Sequence, residues 1–320
     1  MEGKCSKYPE CPAPTHCHEG NEVASCEFWL TNNSNKEAKK EKPVKEQNQS
    51  NLSWTGEPFL VEDISLVSFR SSPIILGIVG KADAGKTTFL AMLYTLLLNG
   101  KAFDNYSFTG TKTIIGWDKL HHKLKVEKND VAFPDPTDPK YHRLFHFALR
   151  SNKNILKDIL LSDASGEAFS LWAQKREDVN AQAARWIYEH SHGFILFVDC
   201  EDLIEAKNSA KTKIIDIAQM LKHDIKKRPV IAVWSKSDKK QLVHEKIIDS
   251  LKEELASMFD NYTELDISNF PIDEPDPNVH ENNLKVIDWL LNKIITPIGK
   301  EMVVESLNTS DLFLNYKGNE

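Results

Sequence analysis

From residue 73 onward, strand-type and helix-type hydrophobic patterns alternate along the chain, whereas the preceding segment carries little of either. Ile74, Ile75, Leu76, Ile78 and Val79 form a short continuous apolar run of buried-strand type, and Thr87 to Leu98 follows with helical character. Tyr141 to Arg150 has period-two character and Ile155 to Ser162 reads as another strand. Asp178 to His190 predicts a helix, Gly193 to Asp199 (GFILFVD) a buried strand, and Ile204 to Lys222 an amphipathic helix. Pro229 to Trp234 predicts the next strand, Val243 to Phe259 a helix, Thr263 to Ser268 a short strand and Asn282 to Ile295 the last helix. This alternation implies an α/β fold, a mostly parallel sheet with helices on both faces. Ligands in such a sheet bind beyond the carboxyl ends of the strands. Ahead of the first strand, PFLVEDISLVSF could supply a leading strand or collar.

The pattern divides the chain into a cysteine-rich segment (1–30), a polar linker (31–56), the alternating domain (57–300) and a tail (301–320). The linker is lysine-rich and almost devoid of large apolar groups, the composition of a disordered segment. A chain of 320 residues that is 41% hydrophobic can bury a sizeable core. The formal charge of -7 gives no overall bias toward nucleic acid or an anionic membrane, so any anion site must be local. No apolar run approaches the roughly 20 residues of a membrane span, and no signal-type stretch opens the sequence, so a cytoplasmic protein is expected.

Cys5, Cys11, Cys17 and Cys26 cluster with His16 and His18 near the amino terminus. In a reducing compartment such clustering favours metal over disulfides. The spacing C-x5-C-x5-C-x8-C lacks C-x-x-C knuckles, yet four thiolates, or three with one imidazole, could build a closed tetrahedral zinc site. The alternative is a tail whose thiols bind nothing. Cys200, at the end of an apolar strand, is expected to be a small core residue.

The densest chemistry follows the first strand. Gly80, Lys81, Ala82, Asp83, Ala84, Gly85, Lys86 and Thr87 satisfy G-x-x-x-x-G-K-[ST], with Thr88 next in the helix, so the strand–loop–helix context of a phosphate-binding P-loop is present. Backbone N–H groups and the helix N-terminus would face an anion. Lys86 would reach the β and γ phosphates, and the Thr87 hydroxyl would ligate a magnesium ion bridging them. An ordinary strand–turn–helix bend is the alternative.

Two further motifs bear on which nucleotide. Asp163-Ala164-Ser165-Gly166-Glu167 follows an apolar strand; Asp163 could hold the magnesium ion through water, and Gly166 could offer its N–H to a γ phosphate. Ser235-Lys236-Ser237-Asp238 follows VIAVW, where a carboxylate can accept from the N1–H and exocyclic amine of guanine. The stem of Lys236 could lie over the base. Taken alone, either segment is a common turn or helix cap.

Together the three motifs resemble the GTPase domains of the translation-factor and Ras-like class, over roughly Pro73 to Ile295. The resemblance implies a P-loop GTPase fold, GTP or GDP as ligand, and magnesium. In that class the third motif is [NT]-K-x-D, so Ser235 departs from it and loses the usual side-chain contact that braces the P-loop. A base-contacting loop is implied after the sixth strand, with Ser268 as nearest counterpart. A switch threonine is implied between Gly100 and Tyr141; Thr109, Thr111 and Thr113 alternate there, and Thr111 is taken first. Trp117, Leu120 and Leu124 at helical spacing indicate a short packed helix in that interval, with His121 and His122 beside it in solvent. Many relatives carry a water-orienting glutamine or histidine where this chain has Glu167. Slow unaided hydrolysis is implied, with an accelerating arginine from a partner or from Arg176 or Arg185. The cysteine-bearing start, the long switch interval and the tryptophan-containing helix after DASGE also look like double-GTPase proteins of bacterial conflict systems. That resemblance implies antiphage or stress signalling with a second GTPase, an activator or an effector. A scaffold that binds guanine nucleotide without turnover, and a P-loop ATPase or kinase, are the competing readings.

Overall fold

A computed structural model of the chain describes residues 56–67, 72–123, 126–127, 130–131, 143–270 and 277–295, with scattered residues between 3 and 31. The chain divides into two units, Met1–Ser53 and Trp54–Glu320. Within the first, strands β1 (Gly3–Cys5) and β2 (Trp29–Thr31) pair antiparallel.

The second unit is built on a seven-stranded sheet. Its strands are β3 (Ile74–Val79), β4 (Tyr106–Gly110), β7 (Arg143–Ser151), β8 (Leu156–Asp163), β9 (Gly193–Asp199), β10 (Val230–Ser235) and β11 (Tyr262–Asp266). A separate ribbon pairs β5 (Val126–Glu127) with β6 (Asp130–Val131). The sheet order is β11-β10-β9-β3-β8-β7-β4, parallel from β11 through β8, with β7 antiparallel to both neighbours. The period of two in the buried strands feeds two faces. Ile195, Phe197, Ile231 and Val233 enter one core, while Phe194, Leu196, Val198, Val230, Ala232 and Trp234 enter the other.

Helices α1 (Lys86–Leu98), α2 (Ile114–Lys123) and α8 (Pro277–Ile295) cover the first face. The second is covered by α3 (Gly166–Gln174), α4 (Gln182–His190), α5 (Cys200–Glu205), α6 (Asn208–Lys222) and α7 (Glu245–Met258). Trp117 of α2 is fully buried, with its ring centroid 4.4 Å from that of Phe147 and 5.5 Å from that of Tyr94, so the short helix packs as its spacing required.

Several elements differ from the sequence reading. The segment before β3 is a collar and not a strand: a 3-10 turn, Val61–Leu66, follows a single bridge of Phe59 to Leu144, and Phe59 is fully buried. Ile204 to Lys222 is interrupted, because Lys207 takes a left-handed φ of 48° that ends α5 and starts α6. Asp178 opens its helix through a 3-10 turn, its carboxylate accepting from the Asn180 N–H at 2.9 Å. The edge strand β4 occupies part of the interval read as a switch loop.

Candidate functional site

The sheet opens where the phosphate motif begins. Register between β3 and β8 runs only to Leu76 opposite Leu161; beyond it the Ser162 hydroxyl accepts from the Ile78 N–H at 2.8 Å. A side chain thus replaces the ladder bond, and the exits of β3 and β8 part above it. The loop after β3 needs left-handed backbone at Asp83 (φ 61°) and Gly85 (φ 86°). Gly85 is the N-cap of α1 and donates no side-chain cap, which leaves the first-turn N–H groups to an anion. Lys86, 7% exposed, donates from Nζ to the carbonyls of Gly80 at 3.1 Å and Lys81 at 2.7 Å. Burial lowers its pKa to about 8 against the raising influence of Asp163 and Asp83.

Thr87 and Asp163 meet: the threonine hydroxyl donates to Asp163 Oδ1 at 3.3 Å. Their hard-oxygen donors suit a magnesium ion. Gly166 lies against the P-loop so closely that a Cβ on it would stand 2.0 Å from the Ala82 nitrogen, so only glycine fits there. Ser165 caps α3, accepting from the Glu167 N–H at 3.2 Å, and Glu167 is exposed on the first helical turn. Ala84 is buried beneath the loop, Asp83 is exposed, and Thr88 is half-buried at the start of α1.

The second end of the crevice lies beyond β10. Ser268 donates to Asp238 Oδ1 at 2.6 Å, which brings the two residues assigned to base contact together. The Ser237 N–H donates to the Ile267 carbonyl at 3.0 Å, holding the two loops side by side. Lys236 adopts a left-handed φ of 53°, and its Nζ lies 2.8 Å from both Asp199 Oδ2 and Glu201 Oε2. Ser235 is buried, and its hydroxyl donates to the Val198 carbonyl at 3.4 Å. The carboxylates of Asp199, Glu201 and Asp202 also border the site, beyond the residues that the sequence motifs single out. Their signal was present in V-D-C-E-D, three acids directly after a buried strand at the ligand end of the sheet.

The alternating threonines are placed elsewhere. Thr109 donates to the Ala148 carbonyl at 2.9 Å, Thr111 to the His146 carbonyl at 2.5 Å, and the buried Thr113 hydroxyl accepts from the His146 N–H at 2.9 Å. All three hydroxyls serve the edge of β7, and none joins Thr87 and Asp163. His146 is also the hub beneath them, its Nδ1 accepting from the Lys112 N–H at 2.9 Å and its Nε2 meeting buried Asp158 at 3.0 Å. His121 is not a free solvent group, since its Nδ1 bonds the Thr95 hydroxyl at 3.0 Å; His122 pairs with Asp118 on the surface.

Arg185 donates to the carbonyls of Arg176 and Asp178, on the connection between α3 and α4. Cys200 is buried, its thiol pushed up to about 12 chiefly by desolvation. Cys5 is buried, Cys17 and Cys26 are partly so, and all three thiols are free; Cys11, His16 and His18 lie outside the described residues, as do Leu124 and the tail from 301. Among the described residues, no group of three or more histidine, cysteine, aspartate or glutamate side chains is placed to hold a metal ion. No described helix is long and apolar enough to cross a membrane.

Comparison with known proteins adds one decisive match. No curated protein matches the sequence. Among solved structures, the chain is similar to nucleolar GTP-binding protein 1 of Plasmodium falciparum (13% identity, TM-score 0.41, covering 70% of this chain and 89% of that one). It is also similar to a mutation variant of SsGBP (14% identity, TM-score 0.38, covering 73% of this chain and 59% of that one). Both scores are too low to carry weight. The model of the Double-GTPase 2 family matches residues 74–290, which spans β3 to α8 and includes every motif of the crevice. With the P-loop, the Asp163 segment and the Asp238–Ser268 pair assembled along one edge of this sheet, the chain belongs to the Double-GTPase 2 family, the double-GTPase type of P-loop GTPase.

Proposed function

We propose that the protein is a magnesium-dependent GTP-hydrolysing switch that works with a protein partner in bacterial defence or stress signalling. The observation that carries the reading is the pairing of the two ends of the crevice. Lys86, Thr87 and Asp163 converge at the exits of β3 and β8, and Asp238 with Ser268 converges beyond β10. A triphosphate would meet the first set and a guanine the second. A magnesium ion held by Thr87 and Asp163 would supply positive charge to the phosphate oxygens. Lys86 supplies the protein's own charge there, and the N–H groups at the start of α1 orient the phosphates.

Gly166, packed beside the Ala82 nitrogen, would offer its backbone N–H to a γ phosphate. Loss of that phosphate would release the Asp163–Glu167 segment, the order-to-disorder device of a switch. Glu167 is exposed and carries a charge of the wrong sign for stabilising phosphate, so an arginine from a second GTPase or another activator is assigned the acceleration. The family type supports a GTPase partner.

Nucleotide competition on the wild type and on Asp238→Ala tests the base assignment. GTP and GDP should displace a fluorescent guanine nucleotide and ATP should not. The variant should lose most of that preference, about 10²-fold or more, because a site built around a hydrogen-bonded group discriminates strongly. Equal competition by ATP in the wild type overturns the guanine reading. Glu167 and Ser235 favour a second reading, a scaffold without turnover. Single-turnover hydrolysis on the wild type and Glu167→Ala decides between them, since a scaffold releases no phosphate in either.

A further inference from the structure

Ser235 leaves the loops of the crevice short of one tie. Its hydroxyl is engaged inside the sheet with the Val198 carbonyl, and its Cβ would lie 3.8 Å from a Cβ built on Gly85, a distance of plain contact. A direct side-chain hydrogen bond from the base motif to the P-loop is therefore not made by this residue.

The loop between them takes that part. In the sheet, β9 lies between β3 and β10, so the turn leaving β9 sits between the P-loop and the base-recognition segment. That turn carries three carboxylates that reach both ways. Asp202 Oδ1 accepts from Lys81 Nζ at 2.6 Å, on the P-loop side. Asp199 Oδ2 and Glu201 Oε2 each accept from Lys236 Nζ at 2.8 Å, on the base side, and Glu201 Oε1 also takes Lys239. Asp199 fixes the turn itself, its Oδ1 accepting from the Glu201 N–H at 3.0 Å as the cap of α5.

We propose that the turn Asp199–Asp202 is the positioning element that replaces the missing brace, holding the P-loop and the base-recognition lysine in register for guanine nucleotide through the Lys81–Asp202 and Lys236–Asp199–Glu201 bridges. The proposal rests on the guanine-nucleotide reading above. The electrostatics agree with it. Hydrogen bonds from Lys236 and then Lys239 hold the Glu201 carboxyl down to about 2. Burial works to lower the Lys236 pKa, and the Asp199 and Glu201 carboxylates overcome it and raise it, so both partners stay charged at neutral pH. With its Nζ anchored between two carboxylates, Lys236 has its aliphatic stem fixed, which is the part a base would rest on.

The test is the dissociation rate of a fluorescent GDP analogue, chased with excess GDP, in the full chain. Glu201→Gln combined with Asp202→Asn removes the pairs to Lys236, Lys239 and Lys81 and should raise the rate about tenfold, the scale of three partly exposed ion pairs. Lys81→Met cuts the P-loop bridge without touching α5 and should raise it about threefold on the same scale. Each change made in a Ser235→Asn background should cost less than about twofold, since the asparagine restores a direct tie and relieves the turn of its load. Unchanged rates in the original background overturn the proposal, as does an undiminished loss beside Ser235→Asn, because a merely structural ion pair would not be rescued from a different strand. Failure of the wild type to take up the analogue at all is a separate result and overturns the guanine reading along with the brace.

Discussion

Raising the pH from 7 to 9 should weaken guanine-nucleotide binding about tenfold, through Lys86. The side chain is 7% exposed, and burial brings its pKa from 10.5 to about 8, with Asp163 and then Asp83 pulling the other way. Phosphates beside the ammonium favour its charged form, so the bound protein keeps the proton well above pH 8. In the free protein the charged fraction is about nine-tenths at pH 7 and about one-tenth at pH 9, and the proton missing at pH 9 must be taken up on binding. The cost is about 1.4 kcal/mol, a factor of ten in the dissociation constant. Titration calorimetry at pH 8.5 in two buffers of different ionisation enthalpy should register uptake of about three-quarters of a proton. Lys86→Arg, which stays charged throughout, should abolish the slope. Flat affinity between pH 7 and 9, or proton release, refutes the argument.

The same shift acts on folding with a sign fixed by linkage. Lys86 has a folded pKa below its unfolded value, so between about pH 8 and 10.5 the unfolded chain binds the extra proton and stability rises with pH. Below pH 8 the buried charge costs the free protein its full amount, about 3 kcal/mol at ~1.4 kcal/mol per pH unit. Lys86→Met should therefore raise the melting temperature of the protein without nucleotide while removing nucleotide binding.

Three other substitutions follow from the geometry. Gly166→Ala sets a methyl 2.0 Å from the Ala82 nitrogen, so it should push the Asp163 segment off the P-loop and lower single-turnover hydrolysis by about 10²-fold while GDP binding persists within about threefold. His146→Leu leaves Asp158 buried without this partner and strips the Lys112 and Asp158 bonds, so thermal denaturation should report a loss of about 3–5 kcal/mol. Thr111→Ala should lower stability by about 1 kcal/mol through its lost bond to the His146 carbonyl and leave the magnesium requirement of hydrolysis intact, as magnesium titrations would show.

What could be read from the sequence was what a local backbone rule fixes. Gly80 to Thr87 reads as a P-loop because the strand before it, the left-handed position at Gly85 and the helix after it are all set within a few residues. Asp163 and Asp238 were legible for the same reason, each at the exit of an apolar strand whose direction the alternation had already implied. The edge of the sheet was not. Thr109, Thr111 and Thr113 alternate as strand residues do, yet β4 stops at Gly110, and the two later hydroxyls continue its pairing by bonding the peptide of His146, more than thirty positions away. No local signal distinguishes a threonine that lines an edge from one that offers oxygen to a metal, because both need only a hydroxyl on extended chain.

The acids after β9 can be seen in the sequence, but their bracing role cannot, for a related reason. Each carboxylate of V-D-C-E-D matches an ordinary helix N-terminus, where acids are favoured by the dipole, and Asp199 does cap α5. What gives the turn its further role is the position of β9 between β3 and β10, a fact of sheet order that links Lys81 to Lys236 across 155 positions of sequence. Ser235 then becomes intelligible as one half of an exchange. A short residue at that position removes a single uncharged tie, and the neighbouring strand supplies charged ones that act on both loops at once. Ion pairs at the rim are screened by salt where a buried amide contact is not, so nucleotide release in this protein should quicken with ionic strength, and in Ser235→Asn it should not.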